Sequence, residues 1–310
     1  VELPFAANQF EFTRIRFILE FQDCFCFDSA SVMRLRRELR QALKLESESG
    51  GDPSRFDRLL LPPLSPDPQA RRKFQKPSPG FVLIPPVEAQ TCDIGDEVGL
   101  EVVFWGTATQ LVVDFLHALQ MVGASGLCHG QGPFDIVAVQ SADSGGCWQV
   151  VWALEDDLDD LAPLLIDLNW WLDNPVWDSQ RMRLRFITPA RLLHQGKPLF
   201  RPNFKSIFPF ILRRVTSMTH AWQGMELRLD IERINLQAET LDILENKLCW
   251  QDWRTLTHHQ GDQELGGIIG HLCLEGACLQ DLSWILALGS LLNLGKGAAY
   301  GCGRYVLETY

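Results

Sequence analysis

Residues 288–308 read LGSLLNLGKGAAYGCGRYVLE, and the reading of this stretch decides the fold. A helical apolar pattern (Leu282, Ile285, Leu286, Leu288, Leu291, Leu292) runs into five glycines, Gly289, Gly295, Gly297, Gly301 and Gly303. A short strand-like tail, Tyr305 to Leu307, follows. Glycine at this density lets a backbone take positive φ and approach another chain closely. Lys296 and Arg304 add positive charge, and free N–H groups in such a loop can cradle phosphates. A tight helix-to-strand connection would use the same residues, because glycine punctuates turns. No Lys-Ser or Lys-Thr pair follows the glycines, so this is not a Walker loop.

Working outward, 310 residues suffice for two ordinary domains. The apolar fraction, 46%, is that of a soluble globular chain. No run approaches the ~20 apolar residues of a membrane span. The start, VELPFAANQF, lacks a signal pattern and a Met, which suggests a trimmed chain or a fragment. Nine cysteines without CxxC pairs point to reduced thiols in a cytoplasmic protein. Cys24 and Cys26 alternate in an apolar run, which fits packing better than metal binding. The net charge of −11 opposes nucleic-acid binding as a bulk property. Charge is segregated, however: EDDLDD occupies 155–160, whereas basic residues gather at Arg34, Arg36, Arg37 and Arg40, at Arg71–Lys73, at Arg181, Arg183 and Arg185, and at Arg213 and Arg214. Each cluster alone also reads as a solvated face.

Periodicity orders the elements. Phe10 to Phe21 alternates as a strand. Asp28 or Ser29 can cap a helix in which Val32, Leu35, Leu39, Ala42 and Leu43 form one stripe. Residues 46–80, rich in Pro, Ser and charge, read as a long loop. Strands follow at Phe81–Ile84 and Val98–Trp105, a helix at Thr107–Val122 and a strand at Phe134–Val139. That order, βαββαβ, is ferredoxin-like. A small-residue boundary at 141–146 is followed by Trp148–Trp152, which can extend the sheet. Glu155–Trp171 has no clear form. In the second half, Arg181–Ile187 alternates Arg with Met, Leu and Phe, giving one basic and one apolar face. A helix within Pro202–His220, a strand pair at Cys249–Leu256 and Gly267–Leu274, and a helix at Leu279–Leu292 complete a second unit. The expectation is an α+β chain of tandem ferredoxin-like (RRM-like βαββαβ) domains, 1–143 and 144–310, the latter with the glycine-rich loop.

LNLGKGAAYGCGRYVLE resembles the C-terminal glycine-rich loop of the CRISPR-associated RAMP endoribonucleases, which cut precursor CRISPR RNA within its repeats. The resemblance continues in the family's order through PGFVLIPP, GDEVGLEVVFWG and GLCHGQGPFDIVAV in the first half. MRLRFITPARLLHQGKPLF, FILRR, CWQDWR and LGGIIGHLCLEGAC carry it through the second. It implies repeat RNA as partner, a CRISPR effector complex or fused CRISPR domains as further company, no cofactor and no metal. It also implies attack of a ribose 2′-hydroxyl on the neighbouring phosphate, giving a 2′,3′-cyclic phosphate and a 5′-hydroxyl. Such chemistry needs proton carriers, for which His suits, and charge stabilisation, for which Lys, Arg and backbone N–H groups suit. Gly295, Lys296, Gly297, Tyr300, Gly301, Gly303 and Arg304, with Arg181, Arg183, Arg185, Arg213 and Arg214, are the expected RNA contacts.

Family members often carry a His or Tyr in or near the first helix; residues 10–60 here contain neither. The proton carrier has moved, arginine electrostatics replaces it, or cleavage is lost. Of the seven histidines, His117 sits in an apolar helix and reads as packed or surface, and His271 alternates with apolar residues in a strand and reads as structural. His129, His194 and His220 lie in turns or near a helix end. His258 and His259, in TLTHHQGDQ, can divide acid and base roles and are the catalytic candidates. No Cys or carboxylate was placed at a spacing that supports a metal. A non-cleaving RNA-binding subunit, and an interaction domain without RNA, are the rival readings.

Overall fold

The computed structural model describes residues 10–173, 180–251 and 266–309, apart from the side chain of His129. In chain order the first unit runs β1 (Glu11–Phe21), β2 (Phe25–Phe27), α1 (Ser29–Glu48), α2 (Pro53–Leu60), α3 (Pro68–Lys73), β3 (Phe81–Ile84), β4 (Gln90–Cys92), β5 (Glu97–Trp105), α4 (Val112–Ser125), α5 (Leu127–Gly130) and β6 (Phe134–Ala142). β7 (Trp148–Ala153), β8 (Ile166–Asp167) and α6 (Leu168–Asp173) follow. The second unit runs β9 (Arg181–Ala190), β10 (Leu193–His194), β11 (Lys197–Pro198), α7 (Phe204–Gln223), α8 (Ile231–Glu239), β12 (Asp242–Asn246), β13 (Cys249–Gln251), β14 (Gly267–Glu275), α9 (Leu279–Leu292) and β15 (Tyr305–Glu308).

The first sheet has the order β3-β5-β1-β6-β7 and the second β12-β14-β9-β15. In each, the first strand of its unit lies between the third and the fourth, as in a ferredoxin-like fold, and every pairing is antiparallel. The chain is therefore α+β with tandem ferredoxin-like sheets. Trp148–Ala153 lies beyond the expected 143/144 boundary but extends the first sheet, as its pattern allowed, by pairing with β6, and Ile166–Asp167 pairs with β1, so both belong to the first sheet.

Strand alternation sorts the side chains. Ile15, Phe17, Leu19 and Phe21 of β1 are buried with Leu35 and Leu39 of α1 and Phe115 and Leu119 of α4. Met182, Leu184 and Phe186 of β9 pack with Ile207 and Ile211 of α7 and Ile285 of α9. The opposite faces carry charge: Arg14 and Arg16 on β1, Arg181, Arg183 and Arg185 on β9. Among the described residues no helix is long and apolar enough to cross a membrane.

The stretch 46–80, expected as loop, contains α2 and α3. Each begins Asp-Pro: the Asp52 carboxylate accepts from Ser54 N–H at 2.9 Å, and Asp67 accepts from Gln69 N–H at 2.9 Å. Pro at the first helical position behind an N-cap Asp starts a helix, and the prolines had been read only as breakers. α2 is fastened by charge. Asp114 of α4 accepts from Arg55 Nε at 3.0 Å and from Arg58 Nε at 2.9 Å, while Arg55 also reaches Glu46 of α1. Burial pushes the Asp114 carboxyl up, but the Arg58 and Arg55 hydrogen bonds outweigh it and hold the group below its ordinary value.

A depressed folded-state pKa contributes stability that is present above the unfolded value of about 3.9 and is lost as pH falls through the folded value. Asp114→Asn should therefore lower stability by about 1–2 kcal/mol at neutral pH, as expected for a half-screened double pair. The deficit should shrink toward pH 3. Urea unfolding of both proteins at the two pH values checks this; an equal deficit at both would exclude the carboxylate as the cause.

Candidate nucleic-acid interface

The glycine-rich loop is built as an anchor between the two units. α9 ends at Asn293, whose φ is +53°. Its buried Nδ2 donates to Leu83 O at 3.0 Å, on the edge strand β3, and to Ala298 O at 3.1 Å. Gly295, Gly297, Gly301 and Gly303 all have positive φ. A Cβ on Gly303 would lie 1.8 Å from Leu294 O, one on Gly295 2.6 Å from Arg191 O, and one on Gly301 2.5 Å from Pro85 Cγ. The close approach these glycines allow is thus to their own chain. Several loop N–H groups are also engaged internally: Lys296 N–H donates to Arg191 O at 3.0 Å, Gly303 N–H to Pro189 O at 2.9 Å and Arg304 N–H to Thr188 Oγ1 at 2.9 Å.

Tyr300 is buried and turns its edge to Phe81 at 5.6 Å. Arg36 of α1 lies over its other side, 5.4 Å from the ring centroid. Packed in this way beneath the loop, Tyr300 does not present its ring for stacking on a base. Cys302 is also buried, 3.7 Å from Met33 Sδ of α1, and burial pushes its thiol up to about 11. Lys296 stands exposed on the loop. The loop therefore meets the arginine-bearing helix α1, where Arg34, Arg36 and Arg40 are half-buried and Arg37 is exposed. Arg40 covers the Phe56 ring at 5.3 Å, and Arg34 Nη1 lies 3.5 Å from Cys128 Sγ.

Arg304 sits deeper. Its Nη1 donates to Pro85 O, and burial lowers its pKa, with Glu101, Arg14 and Arg185 as charged neighbours. The charged faces of both sheets therefore converge on it. On the first sheet, Arg14 pairs with Glu101 at 2.6 Å, and the Arg16 guanidinium lies 3.9 Å from the centroid of the Trp148 ring. Neither Arg14, Arg16 nor Trp148 was singled out from the sequence, although the alternation in FEFTRIRFILEF carried the signal for both arginines.

The row on β9 is largely charge-matched. Arg181 pairs with Glu275 at 2.5 Å and Arg185 with Glu308 at 2.6 Å, while Arg183 Nε donates to Cys273 Sγ at 3.4 Å. Arg213 is exposed on α7, but Arg214 is 7% exposed. It donates to Leu292 O through Nε at 3.2 Å and Nη2 at 3.0 Å, and to Ser78 Oγ at 2.7 Å. Burial pushes its pKa down to about 10. Arg214 thus satisfies the last carbonyl of α9, and the RNA contact expected of it is corrected to a structural role.

The catalytic candidates His258 and His259 lie outside the described residues. His117 Nε2 is 3.2 Å from Glu46 Oε1, with its pKa lowered by burial and Arg55. His220 stacks on Phe74 at 4.2 Å. His194 is exposed in the β10–β11 hairpin. His271 Nε2 lies 3.0 Å from Glu245 Oε2, with Cys273 beside it. The spacing argument against metal ligands missed this grouping, because its third member comes from β12, a strand not recognised in the sequence.

Comparison with known proteins now adds to this geometry. Residues 184–305, ending on the glycine-rich loop, match the family model of the CRISPR-associated endoribonuclease Cas6. Residues 55–163 match a model described as an N-terminal domain. No curated protein matches. Among solved structures, a Cas6 (TTHB231) product complex superposes with a TM-score of 0.54 at 16% identity, covering 96% of this chain and 99% of that one. Thermus thermophilus Cas6 (TTHB231) gives 0.52 at 14% identity, over 96% and 98%. A partial Cas6-RT-Cas1–Cas2 complex gives 0.58 at 15% identity, over 96% of this chain and 46% of that one. The chain shares the two-unit ferredoxin-like fold with these structures. Residues 184–305 are thus similar to the CRISPR-associated Cas6 endoribonucleases.

Two substitutions separate the anchor from its exposed charge. Gly303→Ala should lower the melting temperature by several degrees, because its Cβ meets backbone and its φ of +67° is strained. Lys296→Ala should leave it within about a degree, as an exposed substitution. Scanning calorimetry decides; an unperturbed Gly303→Ala would remove the loop as an anchor.

Proposed function

We propose that this protein binds CRISPR repeat RNA and cleaves it as a metal-independent endoribonuclease, producing mature guide RNA. The observation that carries the reading is the Cas6 match over residues 184–305, whose final loop the fold seats on the arginine-bearing helix α1. Arg36 of the helix lies over Tyr300 of the loop, α1 also carries Arg34, Arg37 and Arg40, and the loop carries the exposed Lys296. That is a place for a phosphate chain on an otherwise acidic protein. Arg181, Arg183, Arg185 and Arg213, with the charged faces that meet at Arg304, offer a second stretch of track.

The reaction supplies its own nucleophile, the ribose 2′-hydroxyl. The protein must align it with the departing 5′-oxygen, take one proton and give another. Arginine at the seam stabilises charge on the phosphorane. α1 carries no His or Tyr, so proton transfer falls to another element, and His258 with His259 remains the pair proposed for it. Neither transfer calls for a metal. A second reading rests on the same gap in α1: a RAMP subunit that retains guide RNA without cutting. Partners in either case are repeat RNA and, by likeness to the Cas6-RT-Cas1–Cas2 assembly, other CRISPR proteins or fused CRISPR domains.

Single-turnover incubation with repeat RNA of the protein's own locus in EDTA should give a 2′,3′-cyclic phosphate and a 5′-hydroxyl. His258→Ala combined with His259→Ala should slow it by about 100-fold or more, the usual size of acid–base catalysis, with binding retained. Binding without cleavage by the unaltered protein favours the retaining subunit. Activity lost in EDTA and restored by Mg²⁺ excludes the metal-free mechanism.

Lys296→Ala should weaken RNA binding regardless of sequence. The slope of log affinity against log salt should fall by about 0.7 if one single-strand phosphate contact is lost. Filter binding across a salt series measures it, and an unchanged slope takes the loop out of the RNA site.

A further inference from the structure

On the charged face of the second sheet, His271 and Cys273 of β14 stand two residues apart and so point the same way. Across the ladder Glu245 of β12 is registered opposite Cys273, and Arg183 of β9 opposes it on the other side. The β12–β14 register shifts between Ile243 and Glu245. An irregularity of this kind re-aims a side chain, and here the re-aimed residue is Glu245. Glu245 Oε2 lies 3.0 Å from His271 Nε2 and 3.9 Å from Cys273 Sγ, and the three donor atoms all fall within 4.8 Å of one another.

From these positions we propose that Glu245, His271 and Cys273 form a binding site for one zinc-class divalent cation, with a fourth position open to solvent. The distances are close to what such an ion demands. With metal–ligand bonds of about 2.0–2.3 Å at tetrahedral angles, donor atoms stand roughly 3.3–3.6 Å apart. Side-chain rotations of less than about 1 Å close the difference, while the ladder holds the three backbones in place. Thiolate, imidazole and carboxylate together suit zinc or cobalt; with a single oxygen donor residue the site does not suit magnesium or calcium. Thiolate and carboxylate balance the ion's charge. Arg183 Nε, 3.4 Å from Cys273 Sγ, supplies the kind of N–H that orients a ligand. Exposure fits an open site: Cys273 is sealed, whereas the His271 and Glu245 side chains are 29% and 33% exposed. The bound ion would clip the edge strand β12 to β14.

The test uses the full chain, made metal-free and kept reduced without oxygen, titrated with Co²⁺ alone. One equivalent should bind and produce a thiolate-to-cobalt charge-transfer band with intense visible ligand-field bands. Cys273→Ser should abolish the charge-transfer band. His271→Asn and Glu245→Gln, both at half-exposed positions, should each weaken binding at least about 10-fold, since even residues that only support a ligand contribute that much. Zn²⁺ should raise the melting temperature of the unaltered protein and not of Glu245→Gln, with Mg²⁺ inert in both. Binding well below one equivalent, a band that survives Cys273→Ser, or unchanged affinity in both His271→Asn and Glu245→Gln overturns the proposal. Should Cys273→Ser fail to fold, the two half-exposed variants decide. None of these readouts involves RNA, so the result stands apart from that of the cleavage assay.

Discussion

One buried amide ties the two halves together. β3 is an edge strand of the first sheet, and an edge leaves backbone groups without a ladder partner. Asn293 Nδ2 takes the Leu83 carbonyl of that strand and, with its second hydrogen, the Ala298 carbonyl of the glycine loop. The end of the last helix of the second unit thereby caps the sheet of the first. The consequences run along the loop. Tyr300 enters the first unit's core beside Phe81, Cys302 reaches Met33, and Gly301 must lack a side chain because Pro85 occupies the space. Arg214 closes the assembly from behind by donating to the Leu292 carbonyl and to Ser78. Each bond to a charged donor is worth roughly 1.5–3 kcal/mol, and leaving the buried carbonyl unmet would cost about as much. The burial of a guanidinium here is therefore intelligible.

What the sequence disclosed follows from what strand and helix periodicity encode. β1, β9, α9 and the first helix were readable because an alternating or three-four pattern reports one buried face, and Leu279–Leu292 was bounded as observed. The order of strands within each sheet comes from packing and leaves no local mark. α2 and α3 are not legible locally because Asp-Pro can open a turn or a helix, and α2 is secured by Arg55 and Arg58 meeting Asp114, 56 or more residues away, together with the burial of Leu59 and Leu60. β12 is five residues with three exposed in succession, so no burial pattern marked it. With it went Glu245 and the grouping around His271.

The site residues show a sharper limit. Arg213 and Arg214 are adjacent in sequence and equivalent in type, yet a 100° step around α7 sends one to solvent and the other into the interior. Tyr300 looks like a stacking platform in a glycine loop, and its fate depends on whether a second unit lies beneath it. Residue type and spacing name the chemistry available; burial decides whether it is available to RNA or already engaged by the protein. The same test demotes part of β9, where Glu275 and Glu308 answer Arg181 and Arg185.

An acidic chain can still hold RNA when its cations are organised in this way. Uniform basic charge would bind any phosphate polymer, whereas here carboxylates neutralise arginines on the sheet faces, and Arg37 of α1 and Lys296 of the loop are exposed. A backbone that follows the seam gains attraction, and one laid elsewhere meets net negative potential, which costs it encounter rate and affinity. The paired arginines are held in reserve by the same logic. On the proposed reading, an incoming phosphate would have to compete with Glu308 for Arg185, which would limit binding there to RNA already positioned by other contacts. The loop's rigidity then matters as much as its charge. Lys296 projects from a backbone fixed at Arg191, Pro189 and Thr188, so little ordering entropy is left to be lost when a phosphate arrives. In the proposed RNA site the glycines would act by holding the cation still, not by touching the RNA.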